Sequence, residues 1–237
     1  MSFLINLKEY NTTLLKNIQA IIFDLDGTLI DSMWVWDEID IEFLSARGLT
    51  LPPTYQKEIE GMSFTETAIY TKQLFQFPES VEELKTIWNQ MALEKYTKEV
   101  PLKPGAEAFL KYCKSKKIPM GIATSNSREL VDAVANTHHL KDYIEVIVTS
   151  CEVTKGKPAP DVYMETAKRL RVQPEHCLVF EDVPMGILAG KNAGMKVCAV
   201  KDSCSEDQRE EKRKYADYYI SSYQEVLTNS YEVLEHE

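Results

Sequence analysis

The sequence is poor in positive charge relative to its acidic content. It holds 27 Lys and Arg residues against 37 Asp and Glu residues, a formal net charge of −10 over 237 residues. Nucleic-acid binding needs a basic surface to meet phosphates, so this balance argues against a nucleic-acid-binding protein. It argues equally against adsorption to an anionic membrane surface.

Other absences narrow the class further. No apolar run approaches the roughly 18 residues that a transmembrane helix needs. The first 17 residues lack the basic start and apolar block of a signal peptide. The five cysteines are an odd number without a close CxxC pair, so we expect neither a zinc site nor a disulfide framework. We therefore expect a cytoplasmic protein, and the lack of a long exposed apolar stripe predicts a monomer.

Short apolar runs alternate with segments of helical spacing through most of the chain. Continuous runs with β-branched residues are typical of strands that are buried on both faces, and they occupy residues 19–25, 118–124, 143–149, 177–180 and 196–200, with a weaker one at 218–221. Helical spacing covers residues 105–117, 128–138, 161–171, 185–193 and 206–215. This alternation predicts an α/β fold with a Rossmann-like parallel sheet covered by helices on both faces.

Residues 33–100 break the alternation, because they contain no strand-like run. Trp36, Ile39 and Phe43 recur at the spacing of an amphipathic helix. Ser63 and Glu66 match a capping box that opens a second helix, whose apolar positions would be Ala68, Ile69 and Leu74. We therefore predict an all-α insertion after the first strand. The expected domains are a core of residues 1–32 and 101–237 and a helical cap of residues 33–100.

Polar side chains follow the predicted strands where a parallel sheet places its ligands, outside the carboxyl ends. They are Asp24, Asp26, Gly27 and Thr28 after the first strand, Thr124, Ser125 and Asn126 after the second, Lys157 beyond the third, and Glu181 and Asp182 after the fourth. Two carboxylates about 5 Å apart repel by roughly 3 kcal/mol at an effective dielectric near 20. Four carboxylates at one edge therefore need a cation.

The set of oxygen ligands suits Mg²⁺, which keeps coordination positions for a substrate phosphate. Lys157 and the backbone N–H groups of the turn at Gly27 and Thr28 add contacts for an anion. Together these groups predict a site in which a phosphate lies between Mg²⁺ and the amine of Lys157. In such a site Asp24 can act as a nucleophile and Asp26 as an acid and base.

These residues carry a resemblance to the haloacid dehalogenase superfamily. The segment Asp-Leu-Asp-Gly-Thr at residues 24–28 is similar to its first motif, and Thr124 resembles its second motif. Lys157, in Lys-Pro-Ala-Pro-Asp, resembles the third motif of the β-phosphoglucomutase-like branch, and Glu181-Asp182 resembles the fourth. The resemblance covers residues 19–221 and keeps the order of all four motifs.

The resemblance implies a mechanism as well as a fold. Asp24 would form an aspartyl phosphate, and Asp26 would protonate the leaving group and then activate water. Thr124, the Ser125 amide and Lys157 would hold the transferring phosphoryl group, with Asn126 beside them. Mg²⁺ would be held by Asp24, the backbone carbonyl of Asp26 and Asp182, with Glu181 beside it. The expected function is a Mg²⁺-dependent phosphatase acting on a small phosphorylated metabolite such as a sugar phosphate.

Three alternatives remain open. Lys155 competes with Lys157 for the role of the amine. A phosphomutase of the β-phosphoglucomutase type would need a second phosphate clamp in the cap, where the mutases it resembles carry an Arg and a His. Here those positions hold Phe64 and Trp36, which are candidates for contact with the substrate instead. The third alternative is a non-catalytic protein that binds a phosphorylated ligand on the same fold.

Overall fold

A computed structural model describes residues 13–235 of the chain. Its centre is a seven-stranded sheet in the order β3-β2-β1-β4-β5-β6-β7. All neighbouring strands run parallel except β6 and β7. The strands are β1 (Ala20–Phe23), β2 (Met120–Thr124), β3 (Val146–Thr149), β4 (Cys177–Glu181), β5 (Lys196–Val200), β6 (Tyr218–Ile220) and β7 (Glu232–Val233).

Ten α-helices accompany the sheet in the described part of the chain. They are α1 (Met33–Ser45), α2 (Tyr55–Ile59), α3 (Phe64–Phe75), α4 (Val81–Lys98), α5 (Ala106–Ser115), α6 (Arg128–Thr137), α7 (Asp161–Leu170), α8 (Pro184–Asn192), α9 (Arg209–Tyr215) and α10 (Tyr223–Thr228). None of them combines the length and the apolar character that crossing a bilayer needs. The predicted α/β fold with a largely parallel sheet is confirmed.

The sheet is buried because its central strands are apolar on both faces. Every residue of β1, β2 and β4 is buried. Alternate side chains of β1 enter two separate cores: Ile21 and Phe23 pack on one face, and Ala20 and Ile22 on the other. The third strand is shorter than the predicted 143–149, because a 3₁₀ turn at Leu140–Asp142 precedes it. The antiparallel β7 was not predicted.

The helices between β1 and α5, which we call the helical insertion (α1–α4, residues 33–98), contain no strand. The predicted capping box is present, since Ser63 Oγ accepts from Glu66 N (3.2 Å) and Glu66 Oε2 accepts from Ser63 N (2.7 Å). The predicted apolar face of α3 is partly wrong. Ala68 is buried, but Ile69 and Leu74 are 41% and 44% exposed. The helix instead buries Phe64, Ala68 and Thr71 towards the other helices.

The sheet register brings the ends of three strands side by side. Phe23 of β1 pairs with Ile122 of β2 on one side and with Phe180 of β4 on the other. Asp24 continues the ladder, since its backbone N–H donates to Phe180 O at 3.0 Å. The residues that follow β1, β2 and β4 therefore meet at one edge of the sheet.

Candidate active site

The turn after β1 closes tightly over the fourth strand. Gly27 has a φ of +72°, a conformation that glycine adopts without strain. A Cβ at this position would lie 2.2 Å from Asp182 Oδ2, so only glycine lets the turn approach this carboxylate. Thr28 Oγ1 donates to Asp182 Oδ1 at 2.8 Å. The turn at Gly27 and Thr28 therefore holds one oxygen of Asp182 by a hydrogen bond and lies close against the other.

Lys157 lies between two of the buried carboxylates. Its Nζ is 2.6 Å from Asp24 Oδ1 and 2.5 Å from Glu181 Oε1, and its side chain is only 3% exposed. Lys155, the competing amine, is exposed. Of the two lysines the structure brings Lys157 to Asp24, as the sequence predicts.

Glu181 is completely buried beneath Lys157. Its Oε1 also accepts from Tyr163 OH (2.7 Å), and its Oε2 accepts from the backbone N–H groups of Asp182 (3.0 Å) and Val183 (3.4 Å). A Cβ at Gly186 would lie 1.8 Å from Oε1, so the first turn of α8 is built around this carboxylate. Glu181 therefore already has polar partners on both oxygens.

Burial dominates the electrostatics of the cluster. It raises the pKa of Asp24 from 3.8 to about 8, although Lys157 opposes the shift and Glu181 adds to it. Burial, then Glu181 and Asp24, raise the pKa of Asp182 well above its usual value. Burial alone would lower the pKa of Lys157, but Asp24 and Glu181 together raise it. One ammonium group thus compensates the three carboxylates only in part.

A divalent cation suits the negative charge that Lys157 leaves uncompensated. Oxygen atoms of Asp24, Glu181 and Asp182 lie within 4.8 Å of one another. Asp182 Oδ2 is buried without a hydrogen-bond partner among residues 13–235, which is costly for a charged oxygen unless a cation meets it. Oxygen donors are the ligands that Mg²⁺ prefers. The donor set and the unpartnered oxygen agree with the expected metal.

The side chain of Asp26 has a different set of hydrogen-bond partners from the carboxylates of this cluster. Its Oδ1 accepts from Ser32 Oγ (2.6 Å) and from Tyr96 OH, and its Oδ2 accepts from Asn126 Nδ2 (2.8 Å). The two aspartates of the first motif thus have different surroundings. Asp24 pairs with an amine, whereas Asp26 is held by neutral donors. Two carboxylates in unlike surroundings are suited to separate roles as nucleophile and acid or base.

The loop after β2 supplies hydroxyl and amide groups. Thr124 is 1% exposed, and its Oγ1 accepts from Asn126 N at 3.1 Å. Ser125 Oγ is buried and has no hydrogen-bond partner within the described part of the chain. Asn126 Oδ1 accepts from Ser127 N, and Ser127 Oγ caps α6 by accepting from Leu130 N. The loop is fixed by its own hydrogen bonds, with the Ser125 hydroxyl left available.

The helical insertion approaches the site through aromatic side chains. The ring of Trp36 lies 5.9 Å from those of Phe64 and Tyr96. Phe64 is mostly buried inside the insertion, and its backbone N–H donates to Ser125 O at 2.9 Å. Trp36 is partly exposed. Of the two predicted contacts with substrate, Trp36 keeps an accessible surface, whereas Phe64 chiefly links the insertion to the core.

Several side chains in or beneath the site were missed by sequence reasoning. Tyr96 and Tyr163 contact Asp26 and Glu181, yet no motif marks them. Tyr223 of α10 is fully buried and donates to Thr28 O at 3.1 Å, although 195 residues separate them. Lys212 belongs to a run of charged residues, yet it is fully buried and donates to Ser205 Oγ at 3.0 Å.

Comparison with known proteins identifies the family. The family model of the haloacid dehalogenase-like hydrolases matches residues 21–200. The chain therefore belongs to the haloacid dehalogenase-like hydrolase family, as its four motifs predict.

Two curated relatives and one solved structure illustrate the similarity. The bifunctional riboflavin kinase/FMN phosphatase of Arabidopsis thaliana is 34% identical over 80% of this chain, which spans 50% of that protein's length. The protein named probable pseudouridine-5'-phosphatase of Drosophila melanogaster is 30% identical over 79% of this chain and 84% of its own. CbbY from Rhodobacter sphaeroides, solved in complex with phosphate, has the same fold, with a TM-score of 0.78 at 23% identity over 88% of this chain and 96% of that chain. The prediction of an enzyme, a phosphoric monoester hydrolase of this family, is confirmed.

Proposed function

We propose that the protein is a Mg²⁺-dependent phosphatase that hydrolyses a small phosphomonoester through an aspartyl phosphate on Asp24. The observation that carries the proposal is the pairing of Asp24 with Lys157 beside the unpartnered oxygen of Asp182. Asp26 is held separately, within the same turn. The proposed nucleophile, Asp24, is thus paired with the ammonium group of Lys157, whereas the proposed acid and base, Asp26, has different partners at the same edge of the sheet.

Asp24, Asp182 and the backbone carbonyl of Asp26 would hold the Mg²⁺ ion. Bound there, Mg²⁺ would neutralise negative charge and would supply a coordination position for a phosphate oxygen. Glu181, the remaining predicted ligand, already accepts hydrogen bonds on both oxygens from Lys157, Tyr163 and the backbone. We assign Glu181 to the alignment of Lys157 rather than to direct contact with the ion.

The chain's own residues account for both chemical steps. Asp24 attacks phosphorus, and the bond to the leaving oxygen breaks while Asp26 gives that oxygen a proton. Asp26 then takes a proton from the water that attacks the phosphoryl group, which releases phosphate and restores Asp24. Lys157, Thr124 Oγ1 and the Ser125 amide stabilise the phosphoryl oxygens, with the backbone of Gly27 and Thr28 and the amide of Asn126 nearby.

The substrate is proposed to be a small organic phosphate, such as a sugar phosphate or a related metabolite. The relatives' names include phosphatases for FMN and pseudouridine 5'-phosphate. Helices α1–α4 act as the cap (residues 33–100), which excludes bulk water and contacts the leaving group, with Trp36 as the accessible aromatic surface. The monomeric state and the cytoplasmic location stay predictions from the sequence.

A substrate screen under defined metal conditions tests this function. We expect phosphate release from members of a panel of sugar phosphates, nucleoside monophosphates, FMN and 4-nitrophenyl phosphate with Mg²⁺. Activity should vanish after chelation and return with Mg²⁺. Ca²⁺ should inhibit, because it takes more and longer ligands and can engage both Asp24 oxygens. Full activity in metal-free protein, verified by elemental analysis, would contradict the metal assignment.

A phosphomutase is the alternative that needs its own measurement. Such an enzyme must grip a second phosphate, and a bidentate Arg contact supplies that grip in a charge-assisted way. Trp36 and Phe64 offer only apolar surface at the corresponding positions. We expect ³¹P NMR with β-glucose 1-phosphate and a bisphosphate activator to show inorganic phosphate as the product. Formation of the 6-phosphate faster than phosphate release would favour the mutase instead.

A further inference from the structure

Three donors from three parts of the chain hold the carboxylate of Asp26. Ser32 Oγ, from the segment leading into α1, and Tyr96 OH, from the last turns of α4, both donate to Oδ1. Asn126 Nδ2, from the loop after β2, donates to Oδ2 at 2.8 Å. A carboxylate oxygen has two lone pairs. Oδ1 is therefore saturated, whereas Oδ2 accepts from Asn126 alone among the residues that the structure describes.

The position of the Tyr96 hydroxyl is itself fixed. The side chain is fully buried, and its ring meets the Trp36 ring edge-on at 5.9 Å. Asn126 Nδ2 donates to Tyr96 OH at 3.2 Å as well as to Asp26. The phenol oxygen accepts from Asn126, so its single proton points to Asp26 Oδ1. The three groups form a closed triangle of hydrogen bonds, one corner of which comes from the helical insertion.

We propose that Tyr96 is a positioning residue that selects which oxygen of Asp26 exchanges the catalytic proton. Together with Ser32, Tyr96 fills both lone pairs of Oδ1, so the proton is carried on Oδ2. In the first step that proton passes from Oδ2 to the leaving oxygen as the phosphorus–oxygen bond breaks. In the second step a proton of the attacking water passes to Oδ2. This inference rests on the phosphatase mechanism proposed above.

Loss of the hydroxyl should release the carboxylate plane. The terminal torsion of Asp is broad and roughly two-fold, so hydrogen bonds rather than intrinsic preference fix it. In Tyr96→Phe, Oδ1 keeps Ser32 and gains a free lone pair, and the Asn126 amide loses one acceptor. The carboxylate can then rotate, and the proton spends part of its time on the wrong oxygen. Protonation of the leaving group should suffer, whereas attack by Asp24 should not.

Two esters with leaving groups of similar shape separate these effects. Nitrophenolate leaves without protonation, whereas benzyl alkoxide needs a general acid. We would measure kcat/KM for 4-nitrophenyl phosphate and benzyl phosphate, because kcat/KM reports only the steps through departure of the leaving group. The ratio of the two values is independent of the concentration of folded enzyme. It can therefore be read for Tyr96→Phe and for the second variant, Tyr96→Leu, even if either is partly unfolded.

General acid catalysis contributes about 10²–10⁴-fold, so its misalignment should lower kcat/KM for benzyl phosphate by about tenfold or more. The value for 4-nitrophenyl phosphate should change less than about threefold on the same reasoning. The matched control is Tyr55→Phe, since Tyr55 is a buried tyrosine of the same insertion whose hydroxyl lies 2.6 Å from Thr71 Oγ1. Its ratio should equal that of the parent.

The possible outcomes are distinct. A selective loss with benzyl phosphate supports the positioning role. An equal loss with both esters, or no loss with either, overturns it and leaves Tyr96 a packing residue. A selective loss in Tyr55→Phe as well would also overturn it, because removal of another buried hydroxyl in the insertion would then have the same effect. A parent that hydrolyses neither ester in Mg²⁺ would fail the proposed phosphatase function itself.

Discussion

Replacing Lys157 with methionine tests how the buried carboxylates are held. The methionine retains most of the apolar stem but removes the ammonium that lies 2.6 Å from Asp24 Oδ1 and 2.5 Å from Glu181 Oε1. Asp24, Glu181 and Asp182 would then remain together, at most 6% exposed, without a cation. Removal of one partner from a buried ion pair typically destabilises a protein by about 3–5 kcal/mol.

That loss is a large part of the stability of an ordinary domain, which is about 5–15 kcal/mol. We therefore expect Lys157→Met to be folded but much less stable in EDTA. A divalent cation should restore part of the loss, because ligand at 100 times its Kd adds about 2.7 kcal/mol to the folded state. The increase in stability produced by Mg²⁺ should be larger for the variant than for the parent, since the variant's site carries one more uncompensated negative charge.

The pH dependence follows from the direction of the Asp24 shift. The pKa of Asp24 is raised from 3.8 to about 8, so the folded protein binds this proton more tightly than the unfolded chain does. Stability in EDTA should therefore fall as pH rises from about 4 to about 8. Lys157 lowers the pKa of Asp24, so its removal should raise that pKa further and extend the fall in stability to higher pH. The variant should differ from the parent least near pH 5.

Urea denaturation followed by tryptophan fluorescence, near pH 5 and above about pH 8, measures these differences. The matched control is Lys155→Met, because Lys155 is exposed two residues earlier and its backbone N–H is what bonds Asp161 Oδ1. Its free energy of unfolding should stay within about 0.5 kcal/mol of the parent's. Equal stability of Lys157→Met and parent in EDTA above about pH 8 would refute the electrostatic account of the site.

Three further changes test neighbouring features. Asp24→Asn should reduce turnover by at least about 10³-fold while stability in EDTA holds or rises, since a buried carboxylate becomes neutral; turnover within about tenfold of the parent would refute the nucleophile. Gly27→Ala should lower the free energy of unfolding by about 1–3 kcal/mol, because the φ of residue 27 is +72°. It should also weaken Mg²⁺ binding in calorimetric titration, because the new Cβ would lie 2.2 Å from Asp182 Oδ2. Unchanged Mg²⁺ affinity would contradict this. Asp40, 9% exposed and bonded to Gln56, has a pKa raised to about 7 by burial, so stability should fall as pH rises from about 4 to 7. Asp40→Asn should therefore stabilise the protein by about 1–3 kcal/mol near pH 8 and by much less near pH 5 in thermal melts, and an equal effect at both pH values would count against it.

The parallel core was predictable from the sequence because its strands are buried on both faces. Such strands appear as continuous apolar runs, and the polar residues at their ends then stand out. Asp24, Thr124 and Glu181 are visible in this way from the order of residues alone. Their meeting at one sheet edge follows from parallel topology. Lys157 is distinguished from Lys155 by its place in the Lys-Pro-Ala-Pro segment.

The insertion was less predictable, because helical spacing does not say which neighbour covers which face. The exposed Ile69 and Leu74 show this on α3, where Thr71 faces inward and bonds Tyr55 instead. Tyr96 lies in an apparently ordinary helix of the insertion. Its role at Asp26 depends on how the helix α4 returns to the core, which no local pattern encodes. Lys212 is hidden for the same reason, since a charged run gives no sign that one member points inward.

The contact between Tyr223 and Thr28 has a consequence for the order in which the chain can assemble during synthesis. The strand that carries the nucleophile and its neighbours β2 and β4 are all complete once residue 181 has been translated. The turn at Gly27 and Thr28, however, is contacted by the phenol of Tyr223, which is translated about 40 residues later. A nascent chain that ends before α10 can pair its central strands, but it exposes the Thr28 carbonyl and the ring faces of Phe23, Phe109 and Phe180 that Tyr223 covers. The active-site turn is thus completed only after α10 has been translated, well beyond the strands that carry the site's carboxylates.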